Sequence, residues 1–188
     1  TFPSSGSQAV TVDFLPRDNK IIAGFDDGTM RIWDIVTARQ TDVFMMTSPI
    51  HHLSVNPTRG RMIVAQEDEL RIWDIQGSEE LQRFIGHDGQ VAAVAYHPTG
   101  QFILSGSFDT TLKLWNADNS QALQSFVGHT SAVVALDFNG NGSRFISSAN
   151  DQTVRIWTTH NSEMTHTFTE HTSNVRAVAW HPSSTHVA

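Results

Sequence analysis

The sequence predicts an all-β repeat protein, and three observations carry that expectation. Four tryptophans, Trp33, Trp73, Trp115 and Trp157, recur at spacings of 40, 42 and 42 residues inside nearly the same phrase: MRIWDI, LRIWDI, LKLWNA and VRIWTT. Other columns keep the register. A phenylalanine stands eleven residues after each Trp (Phe44, Phe84, Phe126, Phe168) and an acid six before (Asp27, Glu67, Asp109, Asp151). Short apolar runs of four to seven residues alternate with turn residues, and no sustained 3.6-residue stripe appears, so almost no helix is expected. A period of about 40–45 residues is the length of a four-stranded propeller blade.

The third unit shows the elements most clearly. VAAVAY (91–96) reads as an inner strand closed by HPTG, and QFILSGS (101–107) as a second strand closed by FDTT. LKLW (112–115) is the third strand, NADNSQ the next turn and ALQSFV (122–127) the outer strand. The turn after the inner strand forms its own track, Pro16, Pro57, Pro98, Gly140 and Pro182, with Phe14, Val55, Tyr96, Phe138 and Trp180 two residues ahead. Complete blades are expected at about 9–44, 48–85, 89–127 and 131–168, with a fifth beginning over 172–188, all in one domain, 1–188. Each unit has apolar residues for both faces of its sheet and must be sandwiched between neighbours, as in a propeller.

These residues resemble the WD40-repeat family over essentially the whole chain. Gly86-His87 and Gly128-His129 match its GH pair, and Trp33-Asp34 and Trp73-Asp74 its WD pair. The resemblance implies a hydrogen-bonded tie of histidine, hydroxyl, aspartate and tryptophan in each blade. Unit three then carries the full set as His87, Ser107, Asp109 and Trp115. Unit four keeps His129, Asp151 and Trp157 but has Ala149 where the hydroxyl is expected. Units one and two retain Asp27, Trp33 and Trp73 but lack the histidine, with Ser5 and Thr47 near its place and Glu67 for the acid, while His171 opens the fifth unit. Half-made polar networks cost stability, so backbone or solvent is expected to satisfy the acids of blades one and two.

Propellers close with 4–8 blades, and the resemblance implies about seven. A buried Trp covers about 200 Å², so one left bare at an open blade side forgoes at most about 5 kcal/mol. The expectation is therefore a segment of a longer chain that supplies the remaining blades; the alternative is two arcs assembling into one ring.

Charge and composition exclude several classes. Twelve Lys plus Arg oppose 19 Asp plus Glu, and the cations are scattered singly, which argues against direct nucleic-acid binding. No run of 18 apolar residues occurs, so no membrane insertion is expected, and TFPSSGSQ lacks a signal-peptide layout. The absence of cysteine excludes disulfides and Cys-based metal or redox sites and favours an intracellular setting. The expected location is cytoplasmic, with nuclear or cytoskeletal association left open.

No catalytic constellation is read. His51 and His52 are adjacent and point to opposite faces of a strand, so they cannot share a metal. The SGS at 105–107 lacks the strand–turn–helix of a nucleophile elbow, and GNGS at 140–143 lacks the helix of a phosphate loop. The expectation is a protein that is not an enzyme and has no cofactor or metal.

What remains is a surface. In proteins this chain resembles, partners bind the face built by the GH loop and the acid loop, at three positions per blade. Carried onto this chain, the first gives Gln8, Pro49, Gln90, Ala132 and Asn174. The second gives Val10, His51, Ala92, Val134 and Arg176; the third gives Asp26, Gln66, Phe108 and Asn150. Among these, Phe108 has no aromatic counterpart in the other units. It is either an interface anchor or a ring folded onto Gln90 or a neighbouring blade. Arg176 is a rim contact or a solvated charge. The expected function is a non-catalytic scaffold or adaptor for protein–protein interactions in an intracellular complex, its partners being peptide motifs or subunits of that complex. The alternatives are a substrate-recognition adaptor of a ubiquitin ligase or a signalling transducer, and an architectural subunit of a cytoskeletal, ciliary or ribonucleoprotein assembly.

Overall fold

Alternating side chains on short strands produce four separate four-stranded antiparallel sheets, each in simple up-and-down order. The computed structural model describes residues 6–16, 18–77, 79–181 and 183–188; Ser5 and Pro182, named above, lie outside them. Blade one is β1 (Ala9–Leu15), β2 (Lys20–Phe25), β3 (Thr29–Asp34) and β4 (Gln40–Met45). Blade two is β5 (His52–Val55), β6 (Arg61–Gln66), β7 (Glu69–Asp74) and β8 (Glu80–Phe84). Blade three is β9 (Val91–Tyr96), β10 (Phe102–Ser107), β11 (Leu112–Asn116) and β12 (Ala122–Phe126). Blade four is β13 (Val133–Phe138), β14 (Arg144–Ala149), β15 (Val154–Thr158) and β16 (Met164–Phe168). No helix occurs among the described residues, and the sheets are propeller blades.

Each seam between blades is an apolar layer fed by both neighbours. Ile22, Met30, Ile32 and Phe44 of blade one meet Leu53, Val55, Met62 and Val64 of blade two. The opposite face of blade two, with Ile63, Ala65, Ile72 and Phe84, meets Val94, Tyr96, Ile103 and Trp115. Blade three's other face, Leu104, Leu112 and Phe126, meets Phe138, Phe145 and Trp157 of blade four. Full burial of one such side chain contributes about 1.5–3 kcal/mol. At the side of blade one, Val12 and Phe14 occupy the places that Val94 and Tyr96 bury in blade three, yet are 64% and 69% exposed.

Register irregularities repeat with the sequence. The pairing of third and fourth strands slips at Ile32/Trp33, Ile72/Trp73, Leu114/Trp115 and Ile156/Trp157. A bulge at every Trp twists the outer strand against the third.

Blade two differs at one loop. Eleven residues separate the turn residue from the acid in Pro16/Asp27, Pro98/Asp109 and Gly140/Asp151, and the same step from Pro57 reaches Asp68 rather than Glu67. One residue is missing from the loop itself. Gln66 pairs with Glu69, leaving Glu67-Asp68 as a tight two-residue turn with Glu67 at φ 49°.

The fifth unit docks in repeat register. Trp180 bridges Val187, the same pairing as Phe138 with Phe145 one repeat earlier. Ala179 and Ala188 exchange backbone hydrogen bonds of 2.9 and 3.0 Å. Val175, Val178, Trp180 and Val187 cover Ile146, Val154 and Ile156 of blade four.

Candidate functional site

Two complete ties brace the loop face. In blade three the Trp115 Nε1–H donates to Ser105 Oγ at 2.8 Å, and Ser105 Oγ–H donates to His87 Nε2 at 2.7 Å. His87 Nδ1–H donates to Asp109 Oδ2 at 2.7 Å. Blade four repeats the chain as Trp157, Ser147, His129 and Asp151, with steps of 2.9, 2.8 and 2.8 Å. The hydroxyl is therefore Ser105, not the expected Ser107, and blade four is not deficient at Ala149. Ser105 and Ser147 stand ten residues before their tryptophans, on the strand paired beside them, where the indole N–H reaches. Ser107 Oγ instead donates to Gly89 O at 2.7 Å.

Each tie fixes a neutral histidine between an acceptor and a donor. Burial pushes the pKa of His87 and of His129 down, against the opposing pull of Asp109 and Asp151. Burial raises the Asp151 carboxyl, but hydrogen bonds from Thr130 N–H, the Thr153 hydroxyl, His129 and Thr153 N–H outweigh it and hold the pKa at about 2. In Asp109 the Thr111 hydroxyl, His87 and Thr111 N–H likewise overcome burial and lower the pKa.

The first two blades use other means. Ten residues before Trp33 and Trp73 stand Ala23 and Ile63, so neither blade has the hydroxyl. Trp73 Nε1 is buried without a hydrogen-bond partner among the described residues. Asp27 is satisfied by the Ser7 hydroxyl and by Thr29, whose Oγ1–H and N–H donate at 2.6 and 2.9 Å. These bonds lower its pKa to about 2. Glu67 is no tie: its backbone carbonyl accepts from Val91 N–H at 2.6 Å, and its side chain stands exposed. His171 is exposed and forms no tie among the described residues.

The same bonds present the loop face. Phe108 N–H donates to Gln90 O at 2.8 Å, Asn150 N–H to Ala132 O at 2.9 Å and Asp26 N–H to Gln8 O at 3.1 Å. Gly89 permits the close approach in blade three, since a Cβ there would lie 2.9 Å from Asp109 N. Phe108 is thus pinned by its backbone while its ring is 48% exposed. Asp26, Asn174 and Arg176 are exposed, and Asn150, Gln90 and His51 half-buried. Gln66 is buried, and its Nε2 donates to Ser48 O at 2.6 Å.

Sequence reading missed a set of bonds that cross from blade to blade. Val55 N–H donates to Asp13 Oδ2 at 2.7 Å, Tyr96 N–H to Ser54 Oγ at 3.1 Å and Trp180 N–H to Asp137 Oδ2 at 2.8 Å. Each acceptor stands three residues before the turn track, a column holding Asp13, Ser54, Ala95 and Asp137. In the adjoining turns, Asn56 Nδ2 donates to Gly100 O at 3.0 Å and His97 Nε2 to Gly142 O at 3.2 Å. Burial lowers the His97 pKa.

A WD40 family model (WD domain, G-beta repeat) matches residues 1–34, 78–116, 120–158 and 162–188, well over half of the chain. The chain belongs to the WD40-repeat family. The unmatched stretch is largely blade two, where the loop is shortened and the tie missing. Curated relatives include a guanine nucleotide-binding protein subunit beta of Oryza sativa subsp. japonica, 29% identical over 104 residues, which are 50% of this chain and 27% of the relative. The subunit beta-1 of Nicotiana tabacum is 31% identical over 104 residues, 50% of this chain and 28% of the relative. The ribosome biogenesis protein WDR12 homolog of Dictyostelium discoideum is 29% identical over 101 residues, 51% and 22% respectively. The matches thus span about a quarter of the length of these curated relatives.

Proposed function

We propose that this WD40 segment is a non-catalytic docking module that holds other proteins in an intracellular complex, through the face formed by the GH and acid loops of its blades. The observation that carries the reading is Phe108, a half-exposed aromatic on a loop whose backbone is held at Gly89 and Gln90. A pre-positioned ring gives up little conformational freedom on binding, and such aromatics commonly dominate interface energetics. Asn150 and Arg176 extend the face onto blade four and the fifth unit. The described residues include no cluster of three or more His, Cys, Asp or Glu able to hold a metal, and no helix that could cross a membrane.

The test is quantitative co-purification from native cells, comparing wild type with a Phe108→Ala, Asn150→Ala, Arg176→Glu triple variant shown to fold. Loss of one or a few partners is the expected result. An unchanged partner set would remove the function from this face and move it to blade sides, opposite turns or other parts of the protein.

A further inference from the structure

The loops of the docking face have one-sided charge. Residues 26–28, 67–68, 108–111 and 150–153, with 45–51, 85–90, 127–132 and 169–174, contain eight carboxylates and no lysine or arginine, and Arg176, just beyond the last of them, is the one such cation among the contact positions of the face. Asp109 and Asp151 are consumed by the ties, but Asp26, Glu67, Asp68 and Asp88 are exposed on the loops of blades one to three. The opposite turns are mixed: Arg59 there pairs with Asp118 across blades two and three. The second feature is the apolar anchor itself: Phe108 is 48% exposed, whereas Gln66, at the same position of blade two, is 2% exposed and bonded through its amide nitrogen to Ser48 O.

Resting on the docking reading above, we propose that the partner is a cationic polypeptide segment: an apolar side chain seated on Phe108, flanked by lysine or arginine facing Glu67, Asp68 and Asp88. The net negative potential of these loops steers such a segment in and repels nucleic acid and acidic peptides. The shortened Glu67-Asp68 turn is what places two carboxylates at the tip of blade two.

The experiment selects peptides from a random display library on the protein, then measures the selected peptides by fluorescence anisotropy. Wild type is compared with Phe108→Ala and with a Glu67→Gln, Asp68→Asn, Asp88→Asn variant, at low salt and at about 0.3 M, where screening shortens the range of the field. The expected result is a pool rich in Lys and Arg around an apolar residue. Each variant weakens binding about tenfold, and salt weakens wild type and Phe108→Ala but has little effect on the charge-neutralised variant. A neutral or acidic pool that is lost on Phe108→Ala but not on charge neutralisation would overturn the cationic partner while leaving the docking face intact. Peptides indifferent to both variants, or no enrichment over a bare surface, would overturn both.

Discussion

Asp13 in the first inner strand accepts a 2.7 Å hydrogen bond from the backbone N–H of Val55 in the second. Adjacent inner strands belong to different sheets and have no ladder to share, so their edge N–H groups need another acceptor. The carboxylate supplies it, and burial raises its pKa in spite of that bond. Asp13→Ala is expected to destabilise the fold by about 1–3 kcal/mol through the stranded N–H, measured as a lower urea midpoint at unchanged slope.

Blade three is where the column fails, since Ala95 offers no acceptor to blade four. Ala95→Ser restores the chemistry of Ser54 and is expected to stabilise by up to about 1 kcal/mol. A midpoint equal to or below wild type would show that this seam has no unmet donor.

Ser105→Ala strands both the Trp115 N–H and the acceptor nitrogen of His87, and is expected to cost roughly 2 kcal/mol or more. Ser107→Ala removes a bond to Gly89 O and an acceptor of Asp109 N–H while leaving the tryptophan and histidine paired, and is expected to cost about 1 kcal/mol. Equal losses in chemical denaturation would contradict the assignment of the hydroxyl.

Four histidines set the pH response. Burial lowers the pKa of His52, His87, His97 and His129. Each binds fewer protons folded than unfolded, so its contribution is complete above the unfolded value of about 6.5 and is lost as pH falls below it. Asp27 and Asp151, held at about 2, withdraw their contributions only below about 4. Asp13 and Asp137 have raised values, so their contribution is complete below the unfolded value of about 4 and is lost as pH rises through their higher folded values. Melting temperature is expected to drop between pH 7.5 and 5.5 as the four histidines take up protons on unfolding. A flat profile there would show that their burial has no net energetic effect.

Gly142 has φ 73°, and a Cβ on it would lie 1.8 Å from His97 Nε2. Gly142→Ala is expected to cost more than the roughly 1 kcal/mol of left-handed backbone strain alone, because the ring must leave its bond. Combining it with His97→Ala is expected to cost less than the sum of the two. Strict additivity in a double-mutant cycle would disprove the clash.

Periodicity made the blades legible, because a Trp column needs only spacing, and it located even blade two, most of which the family model leaves unmatched. It misled where the chain is one residue short. Counting back from Trp73 gives Glu67 and counting forward from Pro57 gives Asp68; neither forms a tie, because the loop that would hold it is gone. The hydroxyl was misplaced for a related reason: Ser107 is nearer the acid in sequence, while the indole reaches across the strand pair to Ser105. Blade-to-blade bonds were invisible, since their acceptors stand 42 or 43 residues from their donors and differ in type at each repeat. The exposure of Phe108 depends on how its loop backbone packs on Gly89 and Gln90, which spacing does not encode.

The slip in strand pairing at each tryptophan has a mechanical consequence. It interrupts the lateral bonding of every outer strand at the same height, so β4, β8, β12 and β16 each hang on a single, interrupted ladder. Under tension or proteolytic attack the protein would fray from its circumference, one hem at a time, before any inner seam gave way. Amide exchange would register this as outer strands that open four times independently rather than once together.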